Sequence, residues 1–288
     1  MSRPVLPTAY IDQIVQLALD EDVPFGDLTS EAFVPEEAHA EAVLSARERG
    51  VFSGGEVFAR AMCALDPRVG VELLCREGSP FEPGDQLARV NGPARPVLTC
   101  ERVALNLVQR MSGIATLTAK YVEAVADTGV RITDTRKTTP GLRRLERYAV
   151  RCGGGHNHRF SLSDAVLAKD NHLTALTAAG MGLAEAVQTA RTRLPHTTHI
   201  EVEVDRLHQV QGALAGGADT IMLDNFAIDD LRRAVELIAG QAVVEASGGV
   251  TLTSLWPIAR TGVDVISVGA LTHSSPALDL GLDFTVGR

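Results

Sequence analysis

The chain has 288 residues, of which 45% are hydrophobic, 22% charged and only 4% aromatic. Its formal net charge of -9 argues against a broad nucleic-acid-binding face, and the scarcity of aromatic rings argues against a stacking platform for single strands. No apolar run approaches the roughly 18 residues needed to cross a bilayer, so no membrane contact is expected.

The start, MSRPVLPTAYIDQ, lacks the charged head and apolar centre of a signal peptide. Cys63, Cys75, Cys100 and Cys152 form no CxxC pair and read as free thiols of a reducing, cytoplasmic compartment. The first element is an amphipathic helix, with Ile11, Ile14, Val15, Ala18 and Leu19 at helical spacing, which stops at the Pro24 and Gly26 turn. Strand-like pieces follow at 39–47, 69–75 and 85–92, and PFEPGD at 80–85 supplies the Pro and Gly of a hairpin turn. These pieces predict a small α/β sandwich-like domain over residues 1–115, against which a tail from about 275 to 288 can pack.

Residues 100–126 read as one long helix. Val103, Leu107, Met111 and Ile114 form its apolar stripe, while Arg102, Asn106, Gln109, Arg110 and Gly113 share another face. That face is either solvated or presents Arg102 to a pocket or a subunit partner. From residue 130 the rhythm changes, and strand candidates recur at 130–135, 165–170, 198–204, 220–225, 243–249 and 265–271. Helix patterns at 182–193, 206–215, 228–239 and 251–260 separate the later ones. Alternating helices and apolar strands buried on both faces mean a parallel sheet. Six such units, with no Gly-x-Gly-x-x-Gly turn, predict an incomplete, open parallel α/β barrel over residues 116–274.

The carboxyl ends of barrel strands share one face, where active sites are built. Here they carry Thr135, Arg136 and Lys137; Lys169; Glu201 and Glu203; Asp224; Glu245 and Ser247; and Gly269. Arg136, Lys137, His158, Arg159 and Lys169 would converge in an otherwise acidic protein, which calls for a compensating anion. Arginine forks match carboxylate or phosphate, and lysines act as point charges, so the ligand is expected to be a small polyanion. Arg143, Arg144 and Arg147 lie on a helix after Pro140 and Gly141, where a solvated face or subunit contact is expected. The loop CGGGHNHR at 152–159 is a poor zinc site, because its histidines are two apart and Arg159 follows; His158 reads instead as a donor to an anion.

Glu203 and Asp224 could bind Mg²⁺ together with substrate phosphates, perform acid–base work, or neutralise the lysines. Ser247, Gly248 and Gly249, then Val268, Gly269 and Ala270, end the last two strands, where barrels often bind phosphate through backbone amides.

TDTRKTTPGLR (133–143), YAVRCGGGHNHR (148–159), LAKDNH (167–172), EVEV (201–204), MLDN (222–225), EASGG (245–249) and SVGALTHS (267–274) resemble the quinolinate phosphoribosyltransferases, also called carboxylating nicotinate-nucleotide pyrophosphorylases. PFGDLTS (24–30) and QRMSGIAT (109–116) extend the likeness over nearly the whole chain. The resemblance implies that quinolinate and phosphoribosyl pyrophosphate react, with Mg²⁺, to nicotinate mononucleotide, pyrophosphate and carbon dioxide, a step of de novo NAD synthesis. It also implies a homodimer in which Arg102 of one subunit enters the other's site. Arg136, His158, Arg159 and Lys169 match the family's quinolinate-binding residues. Lys137, Glu203 and Asp224 match its groups around the ribose and Mg²⁺, and Ser247–Gly249 and Val268–Ala270 match its phosphate loops.

Overall fold

The computed structural model describes residues 5–178 and 180–287. One compact unit comprises Met1–Ala119, Thr138–Gly154 and Ala270–Arg288, and the other Lys120–Lys137 and Gly155–Gly269. Among the described residues, no helix is long and apolar enough to cross a membrane.

In chain order the first unit begins with helix α1 (Thr8–Asp22), which buries Ile11, Ile14, Val15 and Leu19 of the expected stripe. The short helix α2 (Leu28–Phe33) was not expected; the Asp27 side chain caps it by accepting from the amides of Thr29 and Ser30. Strands β1 (His39–Ala46) and β2 (Gly50–Val51) follow, then helix α3 (Gly55–Met62) and strands β3 (Gly70–Leu73), β4 (Pro80–Phe81) and β5 (Gln86–Pro93). The long helix α4 (Ala94–Glu123) starts earlier than the expected residue 100. Pro96 falls in its first turn, where an amide has no helical partner to lose, so the proline does not delay the start.

The second unit carries β6 (Arg131–Thr133), and the chain returns to the first unit for α5 (Arg143–Cys152). Strand and helix then alternate: β7 (Val166–Ala168), α6 (Asp170–Ala178), α7 (Leu183–Arg193), β8 (Ile200–Val204), α8 (Leu207–Gly216), β9 (Thr220–Asp224), α9 (Ile228–Ile238), β10 (Val243–Ser247), α10 (Leu252–Ala259) and β11 (Val265–Ser267). Helix α11 (Ala270–His273) and strand β12 (Leu280–Gly287) end the chain in the first unit.

In the first unit, β12, β1, β5 and β3 form an antiparallel sheet in that order. The terminal strand runs the whole length of β1, from His39 opposite Gly287 to Ala46 opposite Leu280. The expected polar face of α4 proves to be divided. Arg102 and Asn106 are exposed. Further along, Gln109 Nε2 donates to the Leu280 carbonyl at 2.7 Å. Gly113 meets the chain so closely that a Cβ there would lie 2.0 Å from the Pro276 carbonyl oxygen. Arg110 pairs with Glu146 of α5, a residue only 1% exposed, and also donates to Thr139 Oγ1 and the Thr272 carbonyl at 2.8 and 2.9 Å. The expectation for α5 needs correcting at Arg147, which is buried rather than on a solvated face. Arg143 instead donates to Thr138 Oγ1, and Arg144 stacks over the Tyr10 ring.

In the second unit the six strands form one sheet, ordered β6-β11-β10-β9-β8-β7, and every neighbouring pair is parallel. The two edge strands β6 and β7 do not pair with each other, which is the open barrel the strand pattern predicted. Residues 156–159 lie along the β6 edge: His156 bridges Thr133, and its amide donates to the Ile132 carbonyl at 2.7 Å. Arg159 Nη1 donates at 2.8 Å to the carbonyl of Ala165, next to β7. The glycine-rich loop thus delivers its histidines and Arg159 to the opening between the two edges.

Removing one partner of a buried ion pair strands the other charge. Glu146→Ala is therefore expected to lower the unfolding free energy by about 3 kcal/mol in urea denaturation, whereas Arg232→Ala, which loses an exposed pair with Asp229, costs under about 1 kcal/mol. Equal losses would contradict a structural role for the Arg110–Glu146 pair.

Candidate active site

The carboxyl ends of all six parallel strands open on a cavity of about 450 Å³ in the second unit. Thr135, Arg136 and Lys137 follow β6, Lys169 follows β7, and Glu203 lies on β8. Met222 and Asp224 come from β9, Ser247 from β10 and Ser267 from β11. His158 and Arg159 reach the same cavity from the segment beside β6. Side chains alternate along a strand, so the IEVEV sequence of β8 sends Glu201 and Glu203 to the same face.

Cations and carboxylates are interleaved here. Lys169 Nζ forms an ion pair with Glu203 Oε2. Asp224 Oδ2 accepts from Asn225 Nδ2 at 2.7 Å. Lys137 is exposed, and its backbone amide donates to Thr135 Oγ1 at 3.0 Å, which shapes the turn after β6. Burial and the like charge of Arg136 both disfavour the Arg159 cation, while Glu201 and Asp164 favour it. The two guanidiniums therefore stand in each other's field, as a site for an anion requires.

Asp134, fully buried at the end of β6, holds the glycine-rich loop in place. It accepts from the Asn157 side chain at 2.6 Å and from the His158 amide at 2.8 Å. The His158 ring does not offer the free donor that its sequence context suggested. Nε2 lies 3.0 Å from Glu201 Oε2 and 3.6 Å from Glu245 Oε1, and Nδ1 accepts the Arg159 amide at 2.8 Å. Burial alone would depress the pKa of the ring, but the carboxylates of Glu201 and Glu245 outweigh that and raise it to about 10. An imidazolium would carry a proton on both nitrogens, and the Arg159 amide aimed at Nδ1 opposes the second of them; in the charged and the neutral ring alike, Nε2 bears the proton that faces the carboxylates.

The loop after β10 is shaped by glycine. Gly248 has φ +93°, Gly249 has φ +57°, and a Cβ on Gly248 would lie 2.2 Å from Asn225 Oδ1 and 2.9 Å from its backbone nitrogen. Only glycine fits, and the bare backbone turns back towards the cavity edge at Ser247. The second expected phosphate loop is weaker. The Val268 amide is already bonded to the Thr133 carbonyl at 2.9 Å, so it has no N–H to give a phosphate. Ala270 starts the four-residue helix α11 in the other unit, and neither it, Gly269 nor Arg102 is among the residues that line the cavity.

The oxygens of Glu203 and Asp224 on neighbouring strands are hard donors of the kind that could hold Mg²⁺ together with substrate phosphates. Among the described residues, the one cluster of three possible metal ligands is a different one, His158, Glu201 and Glu245. Glu201 and Glu245 stand among the expected strand-end residues, but the sequence assigns them no role in the site. The signal was present, because each stands two positions before a cavity residue, Glu203 or Ser247, and so shares its face.

A six-stranded open barrel that gathers four cations around one cavity, three of them at strand ends, defines an enzyme-like site for a small polyanion. Two family models match the chain: the quinolinate phosphoribosyl transferase N-terminal domain over residues 27–112 and its C-terminal domain over residues 114–283. The chain belongs to the quinolinate phosphoribosyltransferase family. It is 46% identical to a probable carboxylating nicotinate-nucleotide pyrophosphorylase of Synechocystis, over 96% of this chain and 93% of that protein. It is 44% identical to a protein of the same name from Bacillus subtilis, over 93% of this chain and 91% of the relative. The crystal structure of NadC from Streptococcus pyogenes superposes with a TM-score of 0.93 at 40% identity, covering 99% of this chain and all of the other.

Proposed function

We infer that this chain is a quinolinate phosphoribosyltransferase, which joins quinolinate to the ribose of phosphoribosyl pyrophosphate and releases pyrophosphate and carbon dioxide. The product, nicotinate mononucleotide, makes it a pentosyltransferase of NAD synthesis. The observation that carries the reading is the convergence of Arg136, Lys137, Arg159 and Lys169 on one cavity that also holds Glu203 and Asp224.

Quinolinate carries two adjacent carboxylates, and each needs a cationic partner once desolvated. Arg136, Arg159 and Lys169 supply that charge, with His158 behind them. A quinolinate carboxylate can take Lys169 over from Glu203, which frees Glu203 for the ribose. As pyrophosphate departs, positive charge develops on C1 of the ribose, and Glu203 and Asp224 can stabilise it. Lys137, exposed at the cavity edge, suits the phosphates of the incoming chain, and the Ser247–Gly249 turn suits the 5-phosphate. Mg²⁺ held by Glu203 and Asp224 would neutralise the leaving pyrophosphate. Once ribosylated, the ring nitrogen carries positive charge and stabilises the electron pair left on the neighbouring ring carbon when its carboxylate departs as carbon dioxide; that carbon then takes up a proton from solvent. What decarboxylation then asks of the side chains is orientation and exclusion of water.

The enzyme is proposed to act as a cytoplasmic homodimer in which Arg102, exposed on α4, enters the partner's cavity. The four free cysteines fit a reducing compartment.

Purified protein mixed with carboxyl-labelled quinolinate, phosphoribosyl pyrophosphate and Mg²⁺ is expected to release labelled carbon dioxide in step with pyrophosphate; release of neither would overturn the assignment. Arg102→Ala and Lys169→Ala, each inactive alone, are expected to recover activity when mixed, because half of the heterodimers' sites are then intact. No recovery after subunit exchange would rule out a shared site.

A further inference from the structure

The barrel interior holds two buried carboxylates for which the reaction above has no direct use. The side chains of Glu201 on β8 and Glu245 on β10 are only 6% and 5% exposed. One oxygen of each, Oε1, has no hydrogen-bond partner. Two desolvated carboxylates facing each other are strongly unfavourable unless a cation or a shared proton lies between them. Here that place is taken by Nε2 of His158.

The contact joins elements that the sheet alone would leave apart. His158 belongs to the segment beside β6, at the open edge, whereas β10 is two places and β8 four places along the strand order from β6. The other ring nitrogen accepts the backbone amide of Arg159, so the orientation of the ring and the path of the next residue are linked. The Arg159 guanidinium in turn reaches the Ala165 carbonyl, and both His158 and Arg159 line the substrate cavity. A second cavity, of about 430 Å³, opens at the amino-terminal strand ends beside Arg131, Thr220 and Val243, and His158 and Arg159 line it too. These two residues therefore form the partition between the two ends of the barrel.

A metal centre is the competing reading, since the ligand atoms of His158, Glu201 and Glu245 all lie within 4.8 Å of one another. The Arg159 amide argues against it. By occupying the Nδ1 lone pair, it keeps the ring proton on Nε2, the atom that a metal would have to take.

We propose that Glu201 and Glu245 are positioning residues for the quinolinate subsite, holding His158 across the barrel and, through it, Arg159 at the cavity wall. This rests on the assignment of the cavity to quinolinate. Neither glutamate touches substrate; both act through the ring.

Glu201→Gln and Glu245→Gln keep the shape and remove the charge. Each is expected to raise the KM for quinolinate about tenfold while leaving that for phosphoribosyl pyrophosphate within about twofold. In a His158→Gln background, either substitution should add less than about a further twofold, because the residue it acts through is gone. Additive effects, or equal shifts in both constants, would overturn the proposal. A measurement on the unmodified protein covers variants that fail to fold. The His158 Nε2–H, assigned by its loss in His158→Gln, should appear in the proton NMR spectrum as a downfield signal in slow exchange with water, and a ring proton in fast exchange would equally overturn it. Should the unmodified enzyme release no carbon dioxide, the reaction assignment fails, while the ring proton still decides whether the tie exists.

Discussion

Like charges held close together in a protein need a counter-charge within a few ångströms, and the barrel unit is organised around that requirement. Arg136, Lys137 and Lys169 at strand ends and Arg159 on the segment beside β6 converge in a chain whose net charge is -9. Their repulsion is offset by carboxylates in two places along the same barrel. Glu203 and Asp224 line the cavity itself, where Glu203 pairs with Lys169. Glu201 and Glu245, two residues earlier on β8 and β10, are more buried, line the second cavity and face His158. The first pair can exchange partners with an incoming anion, whereas the second is fixed by burial. That difference separates groups suited to chemistry from groups suited to holding shape.

The open barrel serves the same end. A closed sheet would have filled the space between β6 and β7 with a strand. Instead the segment 156–159 lies there, tied to β6 by backbone bonds and to β7 by Arg159. An irregular loop can point two consecutive side chains, His158 and Arg159, into one cavity, which a regular strand cannot do because its side chains alternate. Gly154, with φ +84°, takes a left-handed turn just after α5.

Much of this was legible in the sequence, for a physical reason. Parallel strands buried on both faces read as short apolar runs such as TIMLD and VVEAS, and their polar last residues then mark one face of the barrel. Thr135, Arg136, Lys137, His158, Arg159, Lys169, Glu203, Asp224 and Ser247 are thereby brought to one cavity, as expected. What was hidden depends on pairings that local pattern does not encode. Nothing near Glu146 announces Arg110 as its partner, 36 residues away. Arg147 looks like part of a solvated basic face until its burial is known. The same holds for His158: its neighbours in sequence suggest an anion ligand, while its neighbours in space are Glu201 and Glu245. The Val268 amide looks available in sequence, whereas in the structure it donates to the Thr133 carbonyl of the adjacent strand.

The central claim is that the cavity is built for a dianion of two adjacent carboxylates, and binding discriminates this most directly. In isothermal titration calorimetry, quinolinate is expected to bind at least about tenfold more tightly than nicotinate, which lacks the second carboxylate, and Arg136→Ala should remove most of that preference. Equal affinity for the two ligands, or a preference untouched by Arg136→Ala, would contradict it.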